Sequence, residues 1–159
     1  MAAKMNVTGI DQVITHFVKL GQQVEGIAKA ALFKGAGVAA EIYNGEIENI
    51  KTAPFRYAAN GAKRLPSPPE KSALQRKIGI AKFRGSGTEV DTLVGFTGSG
   101  YAQIAGEKKP VIMIARSINS GTSFMEKQPV FRRAASKAKG AATQAIVDEA
   151  EKRIKELTK

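Results

Sequence analysis

Gly121-Thr122-Ser123-Phe124-Met125-Glu126-Lys127-Gln128-Pro129-Val130-Phe131-Arg132-Arg133-Ala134 opens the stretch that decides the fold. Pro129 stands where a helix begins, a position that tolerates its fixed φ and missing N–H. Beyond it, apolar residues recur at Phe131, Ala134, Ala135, Ala138, Ala142, Ala145, Ile146, Ala150, Ile154 and Leu157. That spacing predicts a C-terminal helix over 129–158 with one apolar face. The face is mostly alanine in its first half, so the surface it meets must come close. The middle of the chain reads as a sheet, and the expectation is that Ala134, Ala135, Ala138, Ala142 and Ala145 are buried against it.

Working back, Thr8 and Asp11 read as a capping-box start, with Asp in the place of Glu or Gln. Apolar positions follow at Ile10, Val13, Ile14, Phe17, Leu20, Val24, Ile27, Ala31, Val38 and Ile42, which predicts a long helix over 10–50. Gly35-Ala36-Gly37 marks either a bend or break in it or a place where another backbone approaches closely. His16, the sole histidine, lies beside this seam, and a lone histidine reads as a packing or surface residue.

A Pro-rich basic arm is expected over 53–72, with Pro54, Pro66, Pro68 and Pro69 excluding a regular element from most of it. Phe55 and Tyr57 interleave there with Arg56, Lys63 and Arg64. Two readings stand for this pattern. Cations with aromatics suit nucleic acid. Alternatively, Phe55 and Tyr57 belong to an arm that lies on a neighbouring subunit or on the domain itself.

A sheet is expected over 73–120. Leu74–Phe83 and Val90–Phe96 read as a hairpin. Gly98-Ser99-Gly100 reads as a turn and Val111–Ala115 as a third strand, apolar on both faces. A fourth strand, or an extension of the third, reaches Ser120. The whole is one domain of 159 residues in the α+β class, with a long N-terminal helix and a C-terminal helix packed on a small, mostly antiparallel sheet.

Composition narrows the function classes. No cysteine is present, which removes disulfides and thiol chemistry and fits synthesis in a reducing cytosol. The first six residues lack an apolar signal core, so the chain does not read as secreted. No run approaches the ~18 apolar residues of a membrane span, so no membrane role is expected. Gly85-x-Gly87 and Gly98-x-Gly100 lack the further glycine and the Lys-Ser/Thr that make a phosphate loop. No nucleophile elbow exists. Glu41, Glu46 and Glu48 have no histidine or Asp-rich loop beside them and make a poor metal site. Asp148, Glu149 and Glu151, interleaved with Lys152, Arg153 and Lys155, read as a solvated face of ion pairs. No enzyme activity, cofactor or metal is expected.

The net charge is +11, with a pI near 10.0. It is unevenly spread. Lys51, Arg56, Lys63, Arg64, Lys71, Arg76, Lys77, Lys82 and Arg84 fall in one segment against the single acid Glu70. Such a field either keeps the surface solvated or attracts a polyanion. Arg132, Arg133, Lys137 and Lys139 crowd the N-terminal half of the last helix, where each cation opposes the helix dipole by about 0.3–1 kcal/mol. Either they meet an acidic partner outside the domain, a neighbouring subunit, the next ring or DNA phosphates, or the side chains snorkel into water at little cost.

Tyr101-Ala102, Gly121-Thr122, Met125, Gln128-Pro129 and Phe131-Arg132-Arg133-Ala134 together resemble the closing part of a bacteriophage neck family. These are the tail-completion, head–tail joining or minor capsid proteins of siphophages with lambdoid-type necks. The order of elements also fits. The chain departs from the family pattern in the Gly106–Asn119 stretch, and in Arg133, which stands where a second proline is common.

The resemblance implies a virion structural protein in the neck, at the head–tail interface, assembled in the host cytoplasm. It implies a homo-oligomeric ring, a hexamer, that meets adjacent neck and tail-tube proteins and makes transient, non-specific contact with double-stranded DNA. Arg56, Lys63, Arg64, Lys71, Arg76, Lys77, Lys82, Arg84, Arg132 and Arg133 are then the candidate channel or inter-ring contacts. Phe55 and Tyr57 are the candidate subunit-interface arm. The alternative is a small basic nucleic-acid-binding protein acting as a monomer or dimer.

Overall fold

The computed structural model describes residues 3–4, 24–57, 61–86, 89–96 and 100–157. Thr8, Asp11, His16 and the apolar positions from Ile10 to Leu20 lie outside them. The elements, in chain order, are β1 (Ala3–Lys4), α1 (Val24–Glu48), α2 (Pro68–Lys77), β2 (Ile78–Ile80), β3 (Arg84–Ser86), β4 (Glu89–Asp91), β5 (Leu93–Phe96), β6 (Tyr101–Ile104), β7 (Glu107–Pro110), α3 (Val111–Ser120) and α4 (Val130–Leu157). The fold is α+β, and its two long helices are the first and last helices among the described residues.

These two helices pack on each other. Alanine, the best helix former, fills α4. Its buried residues Ala134, Ala138, Ala142, Ile146 and Ala150 step by four, and so do Ile27, Ala31, Ala39, Tyr43 and Ile47 on α1. Rows of this interval are the ridges that interdigitate between helices. Gly35 completes the α1 row at the closest point. A Cβ there would come 2.3 Å from Ile146 Cγ1 and 2.9 Å from the carbonyl oxygen of Ala142. Of the two readings of Gly35–Gly37, close approach holds and the break does not, because α1 is continuous through them. The expected seat of the alanine face is corrected accordingly: its main partner is α1, not the sheet. Ala135 lies off the ridge and is exposed, and Ala145 is half-buried.

The strands run along this pair: Ile78, Ile80 and Phe96 pack with Tyr43 and Phe131 near the end of α1, and Phe83 and Val90 pack with Ile27 and Ala150 near its start. The largest sheet has three antiparallel strands in the order β1-β5-β2, with Ile78 opposite Phe96 and Ile80 opposite Val94. β3 and β4 continue the same hairpin outward, Arg84 facing Asp91. Thr92 joins the two halves by donating its hydroxyl to the Ala81 carbonyl at 2.8 Å. Phe131 of α4 carries the sheet onto the helices: its ring stacks on Tyr43 of α1 at 6.3 Å and meets Phe96 of β5 edge-on at 5.3 Å.

Two stretches read as strands are helices. Leu74–Lys77 belongs to α2, which begins at Ser67-Pro68-Pro69-Glu70. Prolines suit the first turn, and Glu70 Oε2 accepts from the Ser67 N–H at 2.7 Å and from its hydroxyl at 3.0 Å. The arm therefore ends at Ser67 rather than at residue 72. Val111–Ala115 opens α3, and no strand follows it to Ser120. Its buried positions are Val111, Ile114, Ala115, Ile118 and Asn119, a helical period that the β-branched run conceals. Ahead of it, β6 and β7 form a hairpin whose two-residue turn, Ala105-Gly106, has φ of 50° and 83°. Positive φ at both central residues matches the twist of the flanking strands.

Gly35 and Gly37 separate packing from propensity. Gly35→Ala gains helix propensity but forces Ile146 or the Ala142 backbone to move, so a net loss of about 1–3 kcal/mol is expected. Gly37→Ala has nothing within 4 Å of the added Cβ, so it gains about 0.8–1 kcal/mol. Urea unfolding of the two variants checks this: equal shifts of the same sign would show that the helices do not touch at Gly35.

Candidate functional site

The segment carrying the family resemblance is a junction. Gly121 N–H donates to the Ser117 carbonyl at 2.9 Å and closes α3. Thr122 Oγ1 accepts from the N–H groups of Phe124 at 3.3 Å and Met125 at 3.0 Å, which turns the chain inward. Met125 is 1% exposed and fills the core. The Asn119 side chain accepts from the Phe131 N–H at 3.2 Å, satisfying one of the free donors at the start of α4.

The same junction holds the Pro-rich loop. Gln128 clamps the backbone of Lys51, accepting from its N–H at 2.9 Å and donating to its carbonyl at 3.0 Å. Arg64 bridges to Met125 through two backbone hydrogen bonds of 2.9 Å, Arg64 N–H to Phe124 and Glu126 N–H to Arg64. Ala53 N–H donates to the Pro66 carbonyl at 3.0 Å. The described part of the loop thus lies on its own domain. Phe55 is half-buried against the core, with Arg64 4.8 Å from its ring centroid. Tyr57 meets Phe55 edge-on at 5.2 Å and is 76% exposed.

The basic candidates divide into held and open. Arg64 makes a bidentate pair with Glu70, both contacts at 2.7 Å, and the two side chains are 11% and 2% exposed. Burial pushes the Glu70 carboxyl up, but the Arg64 and Ser67 hydrogen bonds and the Arg64 charge together outweigh it and hold the group below its ordinary value. Lys71 Nζ donates to the carbonyls of Glu48 at 2.6 Å and Ile50 at 3.3 Å, a cation set on the C-terminal end of α1. Neither residue is free to line a channel.

Arg133 also has an internal partner. Its Nε donates to Glu46 Oε2 at 3.1 Å, and Lys137 pairs with the other oxygen of the same carboxylate. The Lys137 hydrogen bond lowers the Glu46 pKa against the effect of burial, and Arg133 adds to it. Of the cations that oppose the α4 dipole, Arg133 and Lys137 therefore answer a buried carboxylate on α1, and their acidic partner is inside the domain. Glu46 is taken up in this way, and among the described residues no group of acids or histidines is disposed to hold a metal.

Lys51, Arg56, Lys63, Arg76, Lys77, Lys82, Arg84 and Arg132 are exposed, and none of them pairs with an acid among the described residues. Arg76 and Lys77 end α2 beside the β6–β7 hairpin, where Lys108 lies 4.9 Å over the Tyr101 ring. The sequence reading missed Lys108 and Gln103, because the hairpin that presents them has no Asn-Gly or Asp-Gly turn signal. On α4, Glu149 pairs with Arg153 at 2.6 Å and Glu151 with Lys155 at 3.8 Å, the ion pairs expected of a solvated face. No described helix is long and apolar enough to cross a membrane.

The Arg64–Glu70 pair has a pH consequence. A carboxylate held below its unfolded value of about 4.3 contributes stability above that value and loses it as pH falls through the lower, folded value. The melting temperature of the parent should therefore fall on acidification below pH about 4.3. Glu70→Gln strands the buried Arg64 and costs about 3–5 kcal/mol near neutrality, with a flatter acid limb. A variant as stable as the parent at pH 7 would show that the pair does not hold the loop.

No protein-family model, curated protein or solved structure matches the chain.

Proposed function

We propose that the protein is a structural subunit of a bacteriophage neck, a ring-forming tail-completion or head–tail joining protein. In this reading it sits in the virion at the head–tail interface and contacts neighbouring neck and tail-tube proteins. It acts through interfaces and not through a catalytic group. The observation that carries the reading is the sorting of its charge. Arg64, Lys71, Arg133 and Lys137 are engaged within the domain, whereas Lys51, Lys63, Arg76 and Lys77 face solvent with no acid against them among the described residues.

In a ring that unpaired charge is multiplied by the number of subunits. On the inner wall it meets the phosphates of passing DNA; on an end face it meets an acidic neighbour. Ring closure requires a repeated head-to-tail contact. The Gly-Thr, Met and Gln-Pro residues behind the resemblance support the reading by fixing the basic loop on the domain, so that each subunit offers its cations in one geometry.

The test separates charge from assembly. Lys51, Lys63, Arg76 and Lys77 are replaced together by Gln, leaving Arg64 and Lys71 in place because they hold the fold. Native mass spectrometry should give the same ring mass for parent and variant, and the variant should lose duplex DNA. Parent binding should be sequence-blind and fall by about a thousandfold or more from about 50 to 200 mM salt if about six or more phosphates are engaged. Tight, sequence-specific binding by a monomer or dimer would replace the neck reading with that of a small nucleic-acid-binding protein.

A further inference from the structure

The C-terminal end of α2 and the β6–β7 hairpin meet in a groove lined by Pro69, Ala73, Arg76, Lys77, Tyr101 and Gln103. The stem of Lys77 reaches across to the base of the hairpin, where a Cβ at Gly100 would lie 3.4 Å from its Cδ. Tyr101 and Gln103 alternate along β6, and Gln103 faces Lys108 across the ladder. These three side chains therefore share one face of the hairpin. Lys108 Nζ covers one side of the Tyr101 ring at 4.9 Å, and Tyr101 is 48% exposed.

Charge and shape point the same way. Arg76 and Lys77 line the groove with Tyr101, Lys108 lies over its ring, and among the described residues no carboxylate lines the groove. Glu107, the acid of the hairpin, alternates onto its other face and pairs there with Lys109 at 3.0 Å. Like charges gathered without a counter-charge repel one another until an anion arrives. Arg76 donates its Nε to the Ser72 carbonyl at 3.3 Å, which anchors the guanidinium at the groove edge.

We propose that this groove binds single-stranded nucleic acid, with Tyr101 stacking on an unpaired base and Arg76, Lys77 and Lys108 taking the flanking phosphates. Stacking on an aromatic ring beside cations is the physical basis of sequence-tolerant single-strand binding. A duplex keeps its base faces inside its own stack and offers nothing to the ring. An acidic peptide engages the cations and leaves the ring uncovered. The site belongs to the single subunit and operates with or without a ring.

The test uses the full chain and a fluorescein-labelled dT oligomer of about 12 nucleotides, with a duplex of equal length beside it. At low salt the dT oligomer should bind more tightly than the duplex. Tyr101→Ala should weaken dT binding by about fivefold or more and leave duplex binding unchanged, while Tyr101→Phe, which keeps the ring, should stay within about twofold of the parent. Arg76→Gln with Lys77→Gln should lower the salt slope for dT by about 1.4, the value for two phosphates. That double change lies on an exposed helix end and carries the test should Tyr101→Ala fail to fold. Three results would overturn the proposal: parent-like dT binding by a folded Tyr101→Ala, a duplex bound as tightly as the single strand, or displacement of dT by polyglutamate at equal charge.

Discussion

The fold depends on how closely α1 and α4 approach. A row of alanines on one helix meets a row broken by Gly35 on the other, and at Gly35 even a methyl group has no room. Small residues bury little apolar area each, so the contact gains its stability from length and from dispersion at short range. Every other element is fixed relative to this pair. Phe131 brings the sheet to it, Asn119 ties α3 to the start of α4, and Lys71 places α2 on the end of α1.

Two buried carboxylates turn that frame into a particular surface. Glu46 collects Arg133 and Lys137 between the long helices, and Glu70 collects Arg64 beneath the Pro-rich loop. Each spends basic residues on structure. The cations left over are the ones that the domain presents outward, and Lys51, Arg56, Lys63, Arg76 and Lys77 among them fall along the loop and at the end of α2. A net charge of +11 is therefore a poor guide to the interface by itself.

The sequence made α4 legible because alanine periodicity is a direct helical signal, yet periodicity names a face and not the surface that covers it. That is why α1 rather than the sheet proved to be the partner. The start of α2 was written in Ser67-Pro68-Pro69-Glu70, where S-x-x-E is a capping signal, but four prolines nearby favoured a loop. α3 was hidden by Val111, Ile112 and Ile114, β-branched residues that suit a strand, although Ile118 and Asn119 complete a helical period. The β6–β7 hairpin turns on Ala105-Gly106, which has little turn signature, so the face holding Tyr101 and Lys108 was not visible. The partners of Arg133 were beyond reach for another reason: Glu46 is 87 positions away in the chain, and nothing local marks so distant a contact.

The pairing of α1 with α4 also sets the order of events during synthesis. Roughly eighty residues separate the end of α1 from the start of α4, which at about 5–20 residues per second is about 4–16 s of translation. Throughout that interval the Gly35 ridge and the Glu46 carboxylate emerge from the ribosome without the helix that covers them. Domain closure is consequently a late event that waits on the last helix. A nascent chain stalled before Val130 presents an apolar ridge to its neighbours, and a chaperone is the natural first occupant of the place that α4 later fills.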